Sequence, residues 1–215
     1  MKKIQILGLA VVAVCALAAL TASSALALES TWLVDGAVLT ATHEVDSAST
    51  STLFSLADKK GGVFGEEVEV LCAGTDLGTI GIGKADVLSS VTVTECETMK
   101  GICGEPLAEA VNLPWTTSVV LIGAKFYDDT TTTVGTKKVG YNVICNKLVE
   151  DTCEVALAQP ELKNGAAGEV EAVFSSADAN QPKATCTRGG AEAGLVNGID
   201  LILSETGLTV AVSEG

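Results

Sequence analysis

Hydrophobic and polar residues alternate along most of the chain after its first 30 positions. In Val91-Thr92-Val93-Thr94 the alternation is strict, which is typical of a β-strand with one buried face. Similar short segments, rich in Val, Thr, Ile and Leu, predict ten strands at 31–41, 50–57, 67–73, 86–96, 118–128, 138–145, 153–158, 168–176, 199–205 and 208–214. Apolar spacing of three and four residues is never sustained over three helical turns, and the most helix-like segment is the short 105–111.

Glycine-containing turn signals separate these strands. They lie at 60–62, 73–76, 81–83, 164–165, 188–190, 197–198 and 205–207. Strands at this spacing, without helices to act as crossovers, predict an all-β protein with antiparallel sheets, folded as a β-sandwich or in a barrel-like way. The order of the strands is left open by the sequence.

The first 27 residues have the three parts of a secretory signal peptide. Lys2 and Lys3 precede an apolar run, 4–20, and small residues follow it. The alternative is a retained membrane anchor, because the run approaches the roughly 18 residues at which a helix can span a bilayer. The small residues of Ser23-Ser24-Ala25 and Ala25-Leu26-Ala27 favour cleavage, after Ala25 or after Ala27.

The remainder, 28–215, is predicted to be a single secreted all-β domain. Its length suits one large domain or two small ones. Apolar residues nearly vanish in the segment DDTTTTVGTKK at 128–138, where a boundary between two halves would fall. We favour a long solvated hairpin loop for this segment, which keeps the chain in one domain.

The charge balance narrows the class of partner. The full chain has 13 Lys and Arg against 27 Asp and Glu, and loss of Lys2 and Lys3 with the signal brings the net charge to about −16. Such a surface repels polyanions and excludes nucleic acid as a partner. No second long apolar run follows, so no membrane association is expected after cleavage. The predicted location is extracellular or at the cell surface, with an extracellular protein or a polysaccharide as candidate partner.

Six cysteines remain after removal of the signal, and an exported chain with an even number of cysteines is typical of a disulfide-bonded fold. They are Cys72, Cys96, Cys103, Cys145, Cys153 and Cys186. Zinc would require closer pairs or nearby histidines, and a redox site would require C-x-x-C, which is absent. Three structural disulfides are therefore predicted.

Six cysteines allow 15 connectivities. The short segments ETMKGI and NKLVEDT separate two pairs of cysteines and could each form the turn of a hairpin. The favoured pairing is therefore Cys96 with Cys103 and Cys145 with Cys153, which leaves Cys72 with Cys186.

The arrangement of these features resembles a family of secreted proteins that certain soil bacteria carry in many copies. The resemblance lies in W-x-x-x-G-x-x-L at 32–39, a strand ending in Cys72, the Cys96 and Cys103 pair and NLPWTT at 112–117. The family has no assigned activity. The resemblance implies secretion and a β-rich, disulfide-bonded fold, and it implies no catalytic residue.

Catalytic chemistry has little support in the sequence. The only histidine, His43, lies in a Thr- and Ser-rich segment without a nucleophile motif, and neither a P-loop nor a Rossmann glycine pattern is present. We assign no catalytic, metal-binding or cofactor-binding residue and expect no cofactor. A non-enzymatic structural or interaction module is the favoured function.

Two alternatives remain open. The first is a hydrolase of extracellular polymers, which would place two carboxylates across a cleft at roughly 5–10 Å. The second is a carbohydrate- or calcium-binding module. A sugar site would expose Trp32 or Trp115 on a concave sheet face, and calcium would suit the oxygen ligands of Asp76 or of Asp128 and Asp129, although no D-x-D-x-D-G loop is present.

Overall fold

The computed structural model describes residues 30–49, 53–61, 65–82, 86–204 and 206–214. The predicted signal peptide, 1–27, lies outside these residues. The described chain forms strands and contains no α-helix, which confirms the predicted all-β class. The strands are β1 Ser30–Val34, β2 Ala37–Val38, β3 His43–Ser49, β4 Phe54–Asp58, β5 Val68–Ile80, β6 Asp86–Lys100, β7 Leu107–Val111, β8 Trp115–Thr117, β9 Val119–Ile122, β10 Lys125–Asp128, β11 Thr131–Thr132, β12 Val139–Cys145, β13 Val149–Val155, β14 Glu161–Asn164, β15 Val170–Phe174, β16 Ala184–Cys186, β17 Gly190–Ser204 and β18 Val210–Glu214.

The strands are paired antiparallel. In the larger sheet, eight strands, two of which are made of two consecutive segments, close into what we call the first ring. Ser118 and Asp129 exchange backbone hydrogen bonds of 3.1 and 2.9 Å, so β8 and β9 act as one strand opposite β10 and β11. The order around the first ring is β5, β6, β8–β9, β10–β11, β14, β15, β17, β3 and back to β5. Because every neighbour is hydrogen-bonded, the first ring has no open sheet edge.

A second ring lies along the same long strands. Its order is β4, β5, β6, β7, β12, β13, β16, β17 and back to β4. In the described segment 86–111, β6 and β7 lie side by side without a hydrogen-bonded ladder. Each of the long strands β5, β6 and β17 belongs to the first ring with one end and to the second ring with the other, so the two rings share a continuous wall.

A three-stranded sheet, β18-β1-β2, packs against the first ring. Its buried residues Trp32, Val34 and Val212 lie in one core cluster with Val170 and Leu162 of the ring. The Asn164 side-chain amide pairs with the backbone of Val212, donating to its carbonyl at 2.9 Å and accepting from its N–H at 2.7 Å. A second core cluster fills the second ring and contains five of the six bonded cysteines. No helix in the described residues is long and apolar enough to cross a membrane.

The turns predicted at 73–76 and 197–198 are wrong, because both segments lie inside the long strands β5 and β17. Their glycines contact the ring of Phe54. A Cβ on Gly198 would lie 2.6 Å from Phe54 Cδ1, and a Cβ on Gly74 would lie 3.8 Å from Phe54 Cδ2. Glycine within a strand can mark such a close approach instead of a turn.

Three other predicted elements differ in detail. The segments 31–41 and 118–128, each predicted as one strand, contain hairpins that turn at Asp35-Gly36 and at Gly123, where φ is positive. The helix-like 105–111 contains β7. The segment 128–138, predicted as a loop, includes the short strand β11, which pairs with β8.

All six cysteines form disulfides, as predicted, but the favoured connectivity is wrong. The bonds are Cys72–Cys96, Cys103–Cys145 and Cys153–Cys186. Cys153 and Cys186 are direct partners on β13 and β16.

The short spacing between neighbouring cysteines led to the wrong pairing, because it does not show where the strands begin and end. Cys96 lies within β6, which continues to Lys100, so ETMKGI is partly strand. In the β12–β13 hairpin, Cys153 is opposite Tyr141, and Cys145 is opposite Val149. The two cysteines therefore lie at different levels of the hairpin and bond to other strands.

Candidate functional site

A cavity of about 240 Å³ is lined by residues of both rings and lies against the shared strands β5, β6 and β17. Its lining is mainly apolar and includes five of the seven described aromatic side chains, namely Trp32, Phe54, Trp115, Tyr141 and Phe174. Phe54 and Phe174 pack edge to face with ring centroids 5.5 Å apart. Cavities with aromatic walls and a few polar groups are typical of small-molecule sites.

The cavity is positioned by the alternation of the long strand β5. Cys72, Gly74, Asp76, Gly78 and Ile80, at every second position, all line it. Two of these five positions have no side chain, so this stretch of wall leaves volume unfilled. An aspartate appears between the two glycines and projects a polar group toward an otherwise apolar interior.

Tyr141 bounds the cavity on the side of the second ring. Its hydroxyl donates toward the carbonyls of Ala57, at 2.8 Å, and Leu195, at 3.2 Å. These contacts connect β12 to β4 and β17 across the second ring. These two hydrogen bonds therefore fix the distance across the second ring of strands where it borders the cavity.

Trp32 bounds the cavity on the side of the three-stranded sheet, where only 2% of it is exposed. Its indole N–H donates to Asp86 Oδ2 at 2.7 Å, and the backbone N–H of Gly81 donates to Asp86 Oδ1 at 2.7 Å. Burial raises the pKa of Asp86 to about 6, although both hydrogen bonds act to lower it.

Asp76 and Asp200 form a hydrogen-bonded carboxylate pair at the cavity wall. Burial raises the pKa of Asp76 to about 8, and the charge of Asp200 and the hydrogen bond between the two groups act in the same direction. Burial also raises the pKa of Asp200. Near neutral pH the pair therefore holds one shared proton.

Asp128, on β10 of the first ring, also lines the cavity, and 9% of it is exposed. Burial raises its pKa to about 7, the charge of Asp86 contributes, and hydrogen bonds from Thr117 and Ser118 oppose the rise. Asp128 Oδ1 has no hydrogen-bond partner among the described residues.

The interior around these carboxylates has no fixed positive charge. Within the described residues, the buried charged side chains are all aspartates, and the ion pairs involve lysines on the surface. Lys183 is the one cationic side chain of the described lining, and it is exposed. The cavity therefore has a negative electrostatic potential and low polarity.

A second aspartate pair, Asp58 and Asp151, lies away from the cavity. Asp151 Oδ1 accepts from the Thr187 hydroxyl at 2.9 Å and from the Arg188 N–H at 3.0 Å. Asp58 Oδ1 accepts from the Lys60 N–H at 2.9 Å. Their partners are the backbone and hydroxyl of turns, so this pair stabilises the two turns.

The residues that the sequence analysis weighed as catalytic, sugar-binding or calcium-binding candidates lie in different environments. His43 begins β3 and is half-buried. Trp32 is buried, so it does not form an exposed sugar platform, whereas half-buried Trp115 donates from its indole N–H to the Val111 carbonyl at 2.9 Å. The Asp129 carboxylate accepts from the Gln159 amide at 2.6 Å.

Among the described residues, no group of three potential metal ligands lies within reach of one another at the cavity. In the described part of the chain, the group of three potential ligands within reach of one another is Asp151, Cys153 and Cys186. Both sulfurs of this group belong to a disulfide. Asp76 and Asp128, considered as calcium ligands, lie on different strands of the first ring.

Sequence reasoning missed the cavity and its buried aspartates. A signal for Asp200 was present, because it lies in the apolar run Ile199-Asp200-Leu201-Ile202 at the same parity as Ile202. Aspartate at an inward position of a strand is unusual and indicates a special environment. No comparable signal shows which strands bring the aspartates together.

Comparisons with protein-family models, with curated proteins and with solved structures found no match. The resemblance to secreted proteins of soil bacteria therefore stays a prediction.

Proposed function

We propose that this protein is an exported, non-enzymatic binding protein that holds a small, largely apolar molecule in the cavity between its two rings. The observation that carries the proposal is a partly open cavity of about 240 Å³ with five aromatic side chains in its wall. By comparison with a cavity of roughly 150 Å³ that binds benzene, this volume suits a ligand of roughly ten non-hydrogen atoms.

The energetic cost of such a cavity supports a binding role. At about 24 cal/mol per Å³, a cavity of about 240 Å³ forgoes about 6 kcal/mol of packing. That is comparable to the net stability of a whole domain, roughly 5–15 kcal/mol. A ligand that fills the cavity restores dispersion contacts and stabilises the folded state by an amount that grows with the logarithm of its concentration above Kd.

The frame around the cavity favours binding without large rearrangement. The first ring is closed by hydrogen bonds, and the three disulfides connect β5 to β6, the β6–β7 turn to β12, and β13 to β16. A preformed site loses little conformational entropy when a ligand enters.

The disulfides also support export. Disulfides form and persist in oxidising compartments, so three of them in one chain fit maturation outside the cytosol. Together with the signal pattern at 1–27, they support a secreted or cell-surface location.

Binding is tested with neutral compounds of the expected size, such as 2-phenylethanol, indole and cyclohexylmethanol. Isothermal titration calorimetry and the melting temperature should both detect saturable binding by at least one of them. Gly74→Val should abolish that binding, because a Cβ at Gly74 meets only ordinary contacts at 3.7 Å and beyond and would place the added volume in the cavity wall.

Thr75→Val is the matched control, because Thr75 is exposed on the same strand and the substitution adds the same side chain outside the cavity. Binding that survives Gly74→Val, or the failure of every neutral and charged compound to bind, would contradict the proposal.

A second candidate function, hydrolysis by paired carboxylates, is favoured by the hydrogen bond between Asp76 and Asp200. Carboxylates this close share a proton, as in acid dyads, and are nearer than the roughly 5–9.5 Å of glycosidases. Release of reducing ends or peptide fragments from soluble polymers, lost in Asp200→Asn, would support this candidate.

A further inference from the structure

We infer that the cavity selects organic cations: its ligand has an apolar or aromatic body and a protonated amine that binds the Asp128 carboxylate. The inference rests on the proposed binding function and adds a charge and a contact to it. Its basis is the combination of an apolar cavity, an unpartnered carboxylate oxygen and the absence of interior cations in the described residues.

The unpartnered oxygen is the first step. Asp128 lines the cavity and is about nine-tenths buried, yet its Oδ1 accepts no hydrogen bond from the described residues. An acceptor buried in this way loses hydration without compensation. Oδ1 itself is enclosed by protein, but Asp128 keeps 9% of its surface exposed and lines the cavity, so a cationic N–H donor at the cavity face of this carboxylate would supply part of the missing compensation.

The charge of the surroundings selects a cationic donor. Asp128 faces Asp86 from β6 and Asp129 from the following residue, both of which disfavour its ionised form. Asp76 and Asp200 lie on the same cavity wall, and exposed Lys183 is the one cationic group of the described lining. A protonated amine would reduce the repulsion among these carboxylates, whereas a neutral hydroxyl would not.

The aromatic wall favours an organic cation over a metal ion. Ammonium groups bind favourably to the faces of aromatic rings, and five rings line this cavity. Calcium requires six to eight oxygen ligands around one point. The described carboxylates of the first ring do not form a cluster of three within ligand distance of one another.

The test compares two compounds of the same shape, 2-phenylethylamine and 2-phenylethanol, by isothermal titration calorimetry at pH 8 and at pH 5. At pH 8 the amine should bind about tenfold more tightly than the alcohol, the gain expected for one charge-assisted hydrogen bond. At pH 5 protonation of Asp128 should remove most of this preference. The anion phenylacetate should bind less tightly than the alcohol at pH 8.

Asp128→Asn should bring the amine and the alcohol to similar affinity at pH 8. Glu109→Gln is the matched control, since it removes one exposed carboxylate from β7 and should leave the preference unchanged. If Asp128→Asn fails to fold, the loss of preference between pH 8 and pH 5 is measured in the unaltered protein and in Asp76→Asn, which removes another carboxylate that titrates in this range and should retain the loss. Disappearance of the pH dependence in Asp76→Asn would overturn the assignment to Asp128.

The outcomes separate the two proposals. Equal affinity of amine and alcohol at pH 8 would overturn the charge selectivity and leave the binding function standing. Failure of both compounds and of the other neutral probes would overturn the binding function. Saturable binding of calcium chloride in the absence of amine binding would overturn the organic cation in favour of a metal ion.

Discussion

The indole N–H of Trp32 in β1 donates a 2.7 Å hydrogen bond to the carboxylate of Asp86 in β6. Both residues are almost completely buried. The bond joins the three-stranded sheet to the first ring, and it provides one of the two donors that the buried Asp86 carboxylate accepts. The position of Trp32 in the cavity wall therefore depends on its hydrogen bond to the Asp86 carboxylate.

Trp32→Phe should lower the free energy of unfolding by about 1–3 kcal/mol at pH 7, because it removes a donor from a buried carboxylate while retaining an aromatic ring. Urea unfolding measures the loss. Trp115→Phe is the control, since half-buried Trp115 donates to a backbone carbonyl and should cost less. An equal loss in the two variants would contradict a special role for the Trp32 to Asp86 bond.

Stability should fall as pH rises from about 4 to about 8. In the folded protein the pKa values of Asp86, Asp128 and Asp76 are raised to about 6, 7 and 8. A group with a raised folded pKa stabilises fully below its unfolded pKa, and this stability is lost as pH rises through the folded value.

The opposite change occurs in acid. Hydrogen bonds from Lys100 and Ser55 lower the pKa values of Glu67 and Glu69 respectively, so their contribution is lost as pH falls through those lowered values. Maximum stability is therefore expected near pH 4–5, and thermal melts from pH 3 to 9 measure it. Asp76→Asn should flatten the decline between pH 5 and 8, and a maximum above pH 7 in the unaltered protein would contradict the assigned shifts.

Removing the Cys103–Cys145 disulfide should destabilise the protein by about 4 kcal/mol, and removing Cys72–Cys96 by about 3.5 kcal/mol, by loop-closure entropy. The first bond closes a sequence separation of 42 residues and the second one of 24. Paired Cys→Ala variants and urea unfolding measure the difference. A non-reducing peptide map should find the three bonds directly, and a peptide joining Cys96 to Cys103 would contradict the structure.

Gly198→Ala should cost about 1–3 kcal/mol, because its Cβ would lie 2.6 Å from the Phe54 ring and its backbone has a φ of +154°, which residues other than glycine rarely adopt. Gly74→Ala is the matched variant on the other side of the same ring, where the nearest atom is 3.7 Å away, and it should be nearly neutral. Urea unfolding of both variants distinguishes the two sites. A similar cost at both positions would contradict a special constraint at Gly198.

The sequence by itself determined the class of fold. The strict alternation of Val91 to Thr94 lies within β6, as predicted, because alternation of side chains about a strand is a local property of the chain. The six cysteines were correctly predicted to bond, since their even number and the predicted signal peptide are read from the sequence without a structure.

Only the tertiary structure decided which cysteines are bonded to each other and where the cavity lies. Gly74 and Gly198 are typical of turns in sequence, but contact with Phe54 places them within long strands shared by two rings. Register then determined the disulfide partners, and ring closure placed Asp76, Asp86, Asp128 and Asp200 around one interior. A cavity and the pKa of a carboxylate within it depend on residues distant in sequence, so local periodicity does not specify them.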